Sequence, residues 1–305
     1  MPSELKELST FFENDRIQGK LIFGVVENKQ LKLKQMSLDE EVKEGFRKDF
    51  LKKVGQYQRY REIVAYNPNG FRDNEVHKLK VTNIPNAESL LQDTDENVKN
   101  FNDKFIKSIR FIVFRFKNSN QKVVSVFKYY PKTKFLVKHN AYVYTRGTLK
   151  FSRSDIIGFS PSIDCITDGD DMLVISRNPF EKIFSYNHLY LTSAMSLFEE
   201  LTANRDFKIT GIEDMKVKMT RRLGTLRKLY NIHSTRSYEI YNYELIKQIN
   251  DENDLGITFA GTGNNKTVTF PNNTVFMDVY GDAYLESRYT SKKYLALSKR
   301  ERSTR

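Results

Sequence analysis

The chain has 305 residues, of which 39% are hydrophobic and 13% aromatic, and its formal net charge is +12. This composition supports a packed core and excludes global disorder, while the length suits one large domain or two medium ones. The single cysteine, Cys165, excludes an intrachain disulfide and indicates an inert buried thiol in a reducing cytoplasm.

The first hundred residues contain one clear strand pattern and one clear helix pattern. The apolar, β-branched segment Ile17–Val26 predicts a strand. Either Ser37 or Asp39 could cap a helix over Glu40–Arg61, where apolar residues recur at helical spacing. We therefore assign residues 1–103 to an N-terminal α/β segment.

Aromatic and β-branched runs between residues 104 and 176 predict an antiparallel meander. Three hairpins are predicted, with the strand pairs Ile106–Phe116 and Lys122–Tyr130, Phe135–Tyr144 and Thr148–Phe151, and Ser162–Thr167 and Met172–Ser176. Asp168-Gly169-Asp170 joins the last pair and is interpreted as a structural turn.

Beyond residue 177 the apolar period becomes helical. The predicted helices cover Pro179–Tyr190, Ser193–Asn204, Glu213–Tyr230, Ser237–Ile249 and Ala283–Lys299, with loop and strand over Gly256–Asp278. Strands followed by helices predict the α+β class, with the meander over about 105–176 and a mainly helical part over 177–305. Residues 104–305 are accordingly assigned to a second domain.

Positive charge is concentrated in a central basic stretch, Lys104–Ser154. It has thirteen Lys or Arg, eleven Phe or Tyr, and no Asp or Glu. A field of one sign suits a polyanion such as nucleic acid, although most of the aromatics fit a strand buried on both faces. The residues near predicted turns are the candidate DNA contacts: Lys128, Lys132, Lys134, Lys138, Arg146 and Lys150.

A second basic stretch, Met215–Ser237, has seven basic residues and no acidic ones. Within it, Met215, Met219, Leu223, Leu226 and Tyr230 predict one narrow apolar stripe on a helix, with the basic residues around the rest of the circumference. Those assigned to DNA binding are Lys216, Lys218, Arg221, Arg222, Arg227 and Lys228. A merely solvated helix face remains the alternative.

Patterns that would indicate catalysis are incomplete. The four histidines are far apart, and the only Glu-x-Lys that we considered for a nuclease, Glu41-Val42-Lys43, falls at a predicted helix start. Gly261–Thr267 lacks the glycine directly before its lysine that a phosphate loop requires. No enzyme activity, metal or cofactor is predicted. A metal-dependent nuclease is the alternative, with Asp164, Asp171 and Glu181 as its candidates.

The segment Ile163–Phe184 resembles a bacterial family of the Kiwa anti-phage defence system, the KwaB-like proteins. The shared pattern is Ile163-Asp164 opening a strand, an acidic turn at Asp168–Asp171, the apolar strand Met172–Ser176, and Asn178-Pro179-Phe180-Glu181 entering a helix. The resemblance implies a cytosolic DNA-binding effector that self-associates and works with a small multi-span membrane protein, the KwaA-like partner. It brings no catalytic residues.

Localisation follows from what the sequence lacks. No apolar run approaches the length of a membrane span, and the N-terminal residues have no signal-peptide pattern. We expect a cytoplasmic protein that binds DNA without cleaving it and that a partner could recruit to the inner membrane. An adaptor that docks on an inner-membrane partner or on anionic lipid is a further alternative.

Overall fold

The computed structural model describes residues 3–14, 16–99, 102–130, 141–145, 148–152, 162–203, 206–286 and 293–295. The chain divides into two compact units. Unit 1 comprises Met1–Tyr66 and Arg72–Phe184, and unit 2 comprises Asn67–Phe71 and Ser185–Arg305. The large sheet is almost entirely antiparallel and the second half of the chain is mainly helical, so the predicted α+β class is confirmed.

Unit 1 contains a large mixed sheet. Its elements in chain order are α1 (Ser3–Glu13), β1 (Gln18–Glu27), β2 (Gln30–Ser37), α2 (Glu40–Tyr60), β3 (Glu62–Ala65), β4 (Glu75–Lys80), α3 (Ala87–Leu91), α4 (Asp103–Ser108), β5 (Ile109–Lys117), β6 (Val123–Tyr129), β7 (Ala141–Thr145), β8 (Thr148–Ser152), β9 (Cys165–Thr167), β10 (Asp171–Val174) and α5 (Arg177–Ile183). Eight strands lie in the order β2-β1-β5-β6-β9-β10-β4-β3. All neighbours are antiparallel except β3 and β4.

Strand β5 is buried on both faces, as its sequence predicts. On one face Phe114 and Phe116 pack against Phe50 of α2, with ring centroids 5.2 and 6.0 Å away. On the other face Phe111 contacts Phe127 of β6, which in turn packs on Phe184. The aromatics of the central basic stretch that the structure describes are therefore mainly core residues.

The prediction that Asp39 could cap a helix from Glu40 is confirmed. Helix α2 covers Glu40–Tyr60, and an Asp39 carboxylate oxygen accepts from the backbone N–H of Val42 at 2.8 Å. The predicted strand at Ile106, in contrast, begins later. Asn102 caps α4, accepting from the N–H of Phe105, so the chain is helical up to Ser108.

The predicted strand pairs are present, but the middle pair does not join the large sheet. Strands β7 and β8 pair with each other in a separate two-stranded sheet. The meander therefore passes from β6 to β9 directly, and residues 131–140 between β6 and β7 are outside the described part. The predicted domain boundary between residues 103 and 104 stays a prediction. Strand β1, which precedes that boundary, pairs directly with β5, which follows it.

Unit 2 is mainly helical in its described residues. Its elements are α6 (Tyr186–Ala203), β11 (Lys208–Ile209), α7 (Ile212–Met219), α8 (Leu223–Thr235), α9 (Tyr243–Asn253), β12 (Thr258–Ala260), β13 (Thr267–Thr269), α10 (Asn273–Tyr280), β14 (Tyr284–Glu286) and β15 (Lys293–Leu295). Aromatic contacts such as Tyr190–Tyr230 and Phe198–Phe276 join its helices and build its core.

Two helix predictions in unit 2 were wrong. The single helix predicted over Glu213–Tyr230 is broken at Thr220–Arg222, where Arg222 takes an extended conformation before α8. The Thr220 hydroxyl donates to the Lys216 carbonyl. Such hydrogen bonds from a side chain to the backbone compete with the backbone hydrogen bonds of a helix. The helix predicted over Ala283–Lys299 contains instead the antiparallel pair β14 and β15.

Other boundaries in this half also moved. The break predicted near residue 191 lies at Phe184–Ser185, where Ser185 has a φ of 57°. The segment predicted as loop and strand over Gly256–Asp278 also holds α10. Asn272 caps that helix, accepting from the N–H groups of Thr274 and Val275.

Candidate nucleic-acid interface

Arg115 shows that part of the positive charge in the central basic stretch is structural. Its side chain is 4% exposed and lies on β5. The guanidinium donates to the carbonyls of Leu90 and Gln92, to the Asp93 carboxylate at 2.7 Å and to the Ser125 hydroxyl at 3.1 Å. Because all three guanidinium nitrogens donate, Arg115 fixes the end of α3 and the residues after it against the sheet.

Two lysines of the same stretch are also paired within the fold. Lys122 lies 3.5 Å from Glu7 and 3.2 Å from Asp168. Lys128, a predicted DNA contact, is 19% exposed and lies 3.2 Å from the Asp164 carboxylate. Its role at DNA stays a prediction, but its ammonium is already neutralised locally.

The remaining predicted contacts of this stretch are placed only in part. Lys150 lies in β8, and its position along that strand is all that the structure describes of it. Four further candidates lie outside the described residues: Lys132, Lys134, Lys138 and Arg146.

Unit 1 contains a basic cleft of about 740 Å³ at the start of β5. One wall is the end of the β1–β2 hairpin, and the other consists of residues from Glu96 to Lys99 and from Asn102 to Arg110. We define the basic cleft by its five cationic lining residues: Lys34, Lys99, Lys104, Lys107 and Arg110. Lys99, Lys104 and Lys107 are exposed and make no ion pair with any residue in the described part of the chain.

Both acidic residues that line the basic cleft, Glu27 and Glu96, lie beside Lys34. Lys34 lies 2.5 Å from Glu27 and 3.4 Å from Glu96. The hydrogen bond from Lys34 lowers the pKa of Glu27, so this carboxylate stays ionised and paired. Five cationic residues line the cleft against these two carboxylates, so its net charge is positive.

None of these five cations is among the candidate DNA contacts predicted from the sequence. Lys34 lies on β2 and Lys99 follows α3, both outside the central basic stretch. A backbone bridge brings them together, because Gln35 donates to the Glu96 carbonyl at 2.8 Å and accepts from Val98 at 2.9 Å. No local composition signals this pairing. Lys104, Lys107 and Arg110 belong to the stretch, but they lie away from the hairpin turns that directed the prediction.

The predicted contacts in the second basic stretch differ in their exposure to solvent. Lys218, Arg221 and Arg222 are exposed, whereas Lys216 is partly buried beside Glu213 at 3.8 Å. Arg227 is 9% exposed. Lys228 is half-buried beside Asp278. Burial raises the pKa of Asp278, and the positive charge of Lys228 opposes part of that rise. The break after α7 places Arg221 and Arg222 on a turn, where the sequence predicted a continuous helix.

The acidic candidates for a nuclease make separate local contacts. Asp164 is buried and accepts from the Tyr129 N–H at 2.7 Å, and burial raises its pKa. Asp171 pairs with Lys78 and Lys80, and Glu181 accepts from the Tyr66 hydroxyl at 3.3 Å. Among the described residues, no three His, Cys, Asp or Glu side chains are grouped to hold a metal.

Two further sequence interpretations are confirmed by geometry. Gly261–Thr267 is a loop that contains the short 3-10 turn Gly263–Asn265 and leads into β13, and Lys266 pairs with Glu244 at 3.1 Å and lies over the Tyr243 ring. Cys165 is fully buried, and burial raises the pKa of its thiol. Lys266 is therefore already paired, and the Cys165 thiol lies out of contact with solvent.

The Asp168-Gly169-Asp170 turn joins β9 to β10, as predicted. Gly169 has a φ of 113°, a conformation that glycine adopts readily and β-branched residues adopt badly. We expect Gly169→Val to lower the free energy of unfolding by about 1–3 kcal/mol, with DNA affinity of the folded fraction unchanged. Chemical denaturation measures the first effect, and a titration with labelled DNA the second.

Asp170→Val is the matched control for the turn. Asp170 is exposed and lacks a positive φ, so the same side chain there should change stability much less. A large loss of DNA affinity in Gly169→Val at unchanged stability would instead place this turn in a binding site.

Comparison with known proteins gives one match. A family model described as Kiwa protein KwaB-like matches residues 106–290, which is more than half of the chain. No curated protein and no solved structure matches the chain. Among the described residues, none of the helices has both the length and the apolar character needed to cross a membrane.

Proposed function

Because the chain belongs to the KwaB-like family of Kiwa proteins, it is a protein of anti-phage defence, and we propose that it acts there by binding DNA without cleaving it. The phosphate backbone is the part of DNA that this site would recognise. Binding of this kind is independent of base sequence, which suits a defence protein that must meet the genomes of different phages.

The basic cleft is the observation that supports this proposal. Lys99, Lys104 and Lys107 extend into solvent without acidic partners in the described part of unit 1, and Arg110 lies beside them. Each cation that meets a phosphate releases a condensed counterion, which is the main source of affinity in sequence-independent binding. The cleft has no exposed aromatic in its lining, so backbone contact is favoured over base stacking.

The proposal includes two partners that family membership suggests. The first is a small multi-span membrane protein of the KwaA-like type, which would sense infection and control the effector. The second is another copy of this chain. Neither surface is identified by the described residues, so these parts of the proposal rest on the family alone.

A salt titration tests DNA binding directly. We expect the logarithm of the affinity for a labelled duplex to fall linearly with the logarithm of salt concentration. Four cations give a slope of about −3 to −4, at about 0.9 for each phosphate contact. Duplexes of unrelated sequence should give the same line. A slope near zero, or no binding at low salt, would contradict the proposal.

The same samples distinguish binding from hydrolysis. Plasmid and linear DNA should stay intact with Mg²⁺ or Mn²⁺, as judged on a gel, because the acidic candidates are held by separate local partners. Cleavage that is lost in Asp164→Ala or Glu181→Ala would establish the nuclease alternative instead.

A further inference from the structure

Unit 2 presents an exposed turn that combines positive charge with apolar side chains. We define the α7–α8 corner as residues Val217–Gly224, which include the end of α7, the break at Thr220–Arg222 and the start of α8. Met219 points inward from the corner with 1% exposure, and Leu226 is buried one turn later. These two side chains anchor the turn, so the exposed groups are held in place on a packed support.

The charge of the α7–α8 corner has one sign. Lys218, Arg221 and Arg222 are exposed, and none makes an ion pair with a residue that the structure describes. The sequence has no acidic residue between Met215 and Ser237. The acidic residues of α7, Glu213 and Asp214, lie in its first turn, at the opposite end from the corner.

Two large apolar side chains lie among these cations. Val217 is 51% exposed and Leu223 is 37% exposed, although Met215 and Met219, from the same predicted apolar stripe as Leu223, are buried. The break at Thr220–Arg222 explains the difference, because it takes Leu223 out of register with Met215 and Met219. The exposed apolar groups therefore flank the arginine pair in sequence, one on each side.

We infer that the α7–α8 corner binds the surface of an anionic lipid bilayer. The arginines and Lys218 would meet lipid phosphates, and Val217 and Leu223 would enter the boundary between headgroups and acyl chains. Basic residues attract such a surface electrostatically, while aliphatic side chains gain by leaving water. This inference is separate from DNA binding at the basic cleft, and it gives Lys218, Arg221 and Arg222, which the sequence analysis assigned to DNA, a different ligand.

Exposed apolar groups favour a bilayer over DNA at this position. Contact with phosphates needs only the cations and would leave Val217 and Leu223 in water. A bilayer offers both a layer of negative charge and an apolar layer directly beneath it. The basic cleft in unit 1 lacks such exposed aliphatic partners in its lining, which fits its assignment to the DNA backbone.

Vesicle flotation with the full chain tests the inference. Wild-type protein should float with phosphatidylcholine vesicles that contain 30% phosphatidylglycerol, at about 0.1 M salt, and not with pure phosphatidylcholine vesicles. Arg221→Glu with Arg222→Glu should weaken this binding at least 10-fold, because each basic group near an anionic surface contributes about a five-fold factor. Val217→Ser with Leu223→Ser should weaken it several-fold at unchanged charge.

Lys208→Glu with Lys247→Glu is the matched control. Both lysines are exposed in unit 2, and the pair changes the net charge by the same amount as the arginine pair. Equal losses in both charge variants would mean diffuse attraction and overturn the inference. It would also be overturned if the arginine pair lowered DNA affinity and left flotation intact, or if the serine pair had no effect. Circular dichroism and a melting curve confirm that each variant is folded.

Discussion

Replacing Arg115 with leucine should lower the free energy of unfolding by about 2–4 kcal/mol and leave DNA affinity of the folded protein unchanged. The cost arises because the change removes four hydrogen bonds at once. It leaves the Leu90 carbonyl and the Ser125 hydroxyl without their buried donor. Asp93 keeps Lys20 as a partner at 2.8 Å, so it is not left as an uncompensated charge.

Lys117→Leu is the control for this prediction. Lys117 lies two residues further along the same strand, on the same face as Arg115, but it is exposed at the end of β5. Its replacement should change stability by less than about 0.5 kcal/mol. Urea denaturation gives both values, and anisotropy of labelled DNA gives the affinities. Equal stability of the two variants would show that Arg115 is not a structural cation.

Local signals explain what the sequence predicted correctly in the fold. The pairs β5–β6 and β9–β10 combine β-branched or aromatic residues with a turn between them, so both strand and partner are fixed within about 20 residues. Helix α2 has its cap, Asp39, next to its first turn. Such elements can be identified without knowledge of the rest of the chain.

The wrong predictions concern segments whose pattern allows two structures. The apolar spacing from Met215 to Tyr230 fits one helix, and only the extended conformation at Arg222 divides it. Tyr284 and Leu285 occur at positions that suit a helix, yet they pair with β15. Tertiary context decides in both cases, since the local propensities are weak.

The charge pattern predicted that the protein has a nucleic-acid interface, but the position of the candidate site depends on how the strands pair. Counting residues identified the central basic stretch, but it could not show that Arg115, Lys122 and Lys128 find acidic partners far away in the sequence. Nor could it show that Lys34 and Lys99 join Lys104 across the basic cleft. Composition thus predicted the class of ligand, and strand pairing determined which cations remain available.

Reversing the charge of Lys99, Lys104 and Lys107 together should lower DNA affinity on the order of 100-fold at about 0.1 M salt. Each lysine lost removes one phosphate contact and replaces it with repulsion. The salt slope should flatten by about 2.7, at 0.9 for each contact, and the loss should be equal for every DNA sequence. Stability should change little, because the three side chains are exposed and lack ion pairs in the described structure.

The matched control is Lys6→Glu, Lys52→Glu and Arg59→Glu. These residues are exposed on α1 and α2 of the same unit and also make no ion pair among the described residues, so the net charge changes equally. The control should keep most of the affinity and slope, since the effect of total charge at a distance is screened within about 10 Å at 0.1 M salt. If the cleft variant behaves like this control, the basic cleft does not hold the DNA. The contacts must then lie on β8, in the segments around it, or at the α7–α8 corner.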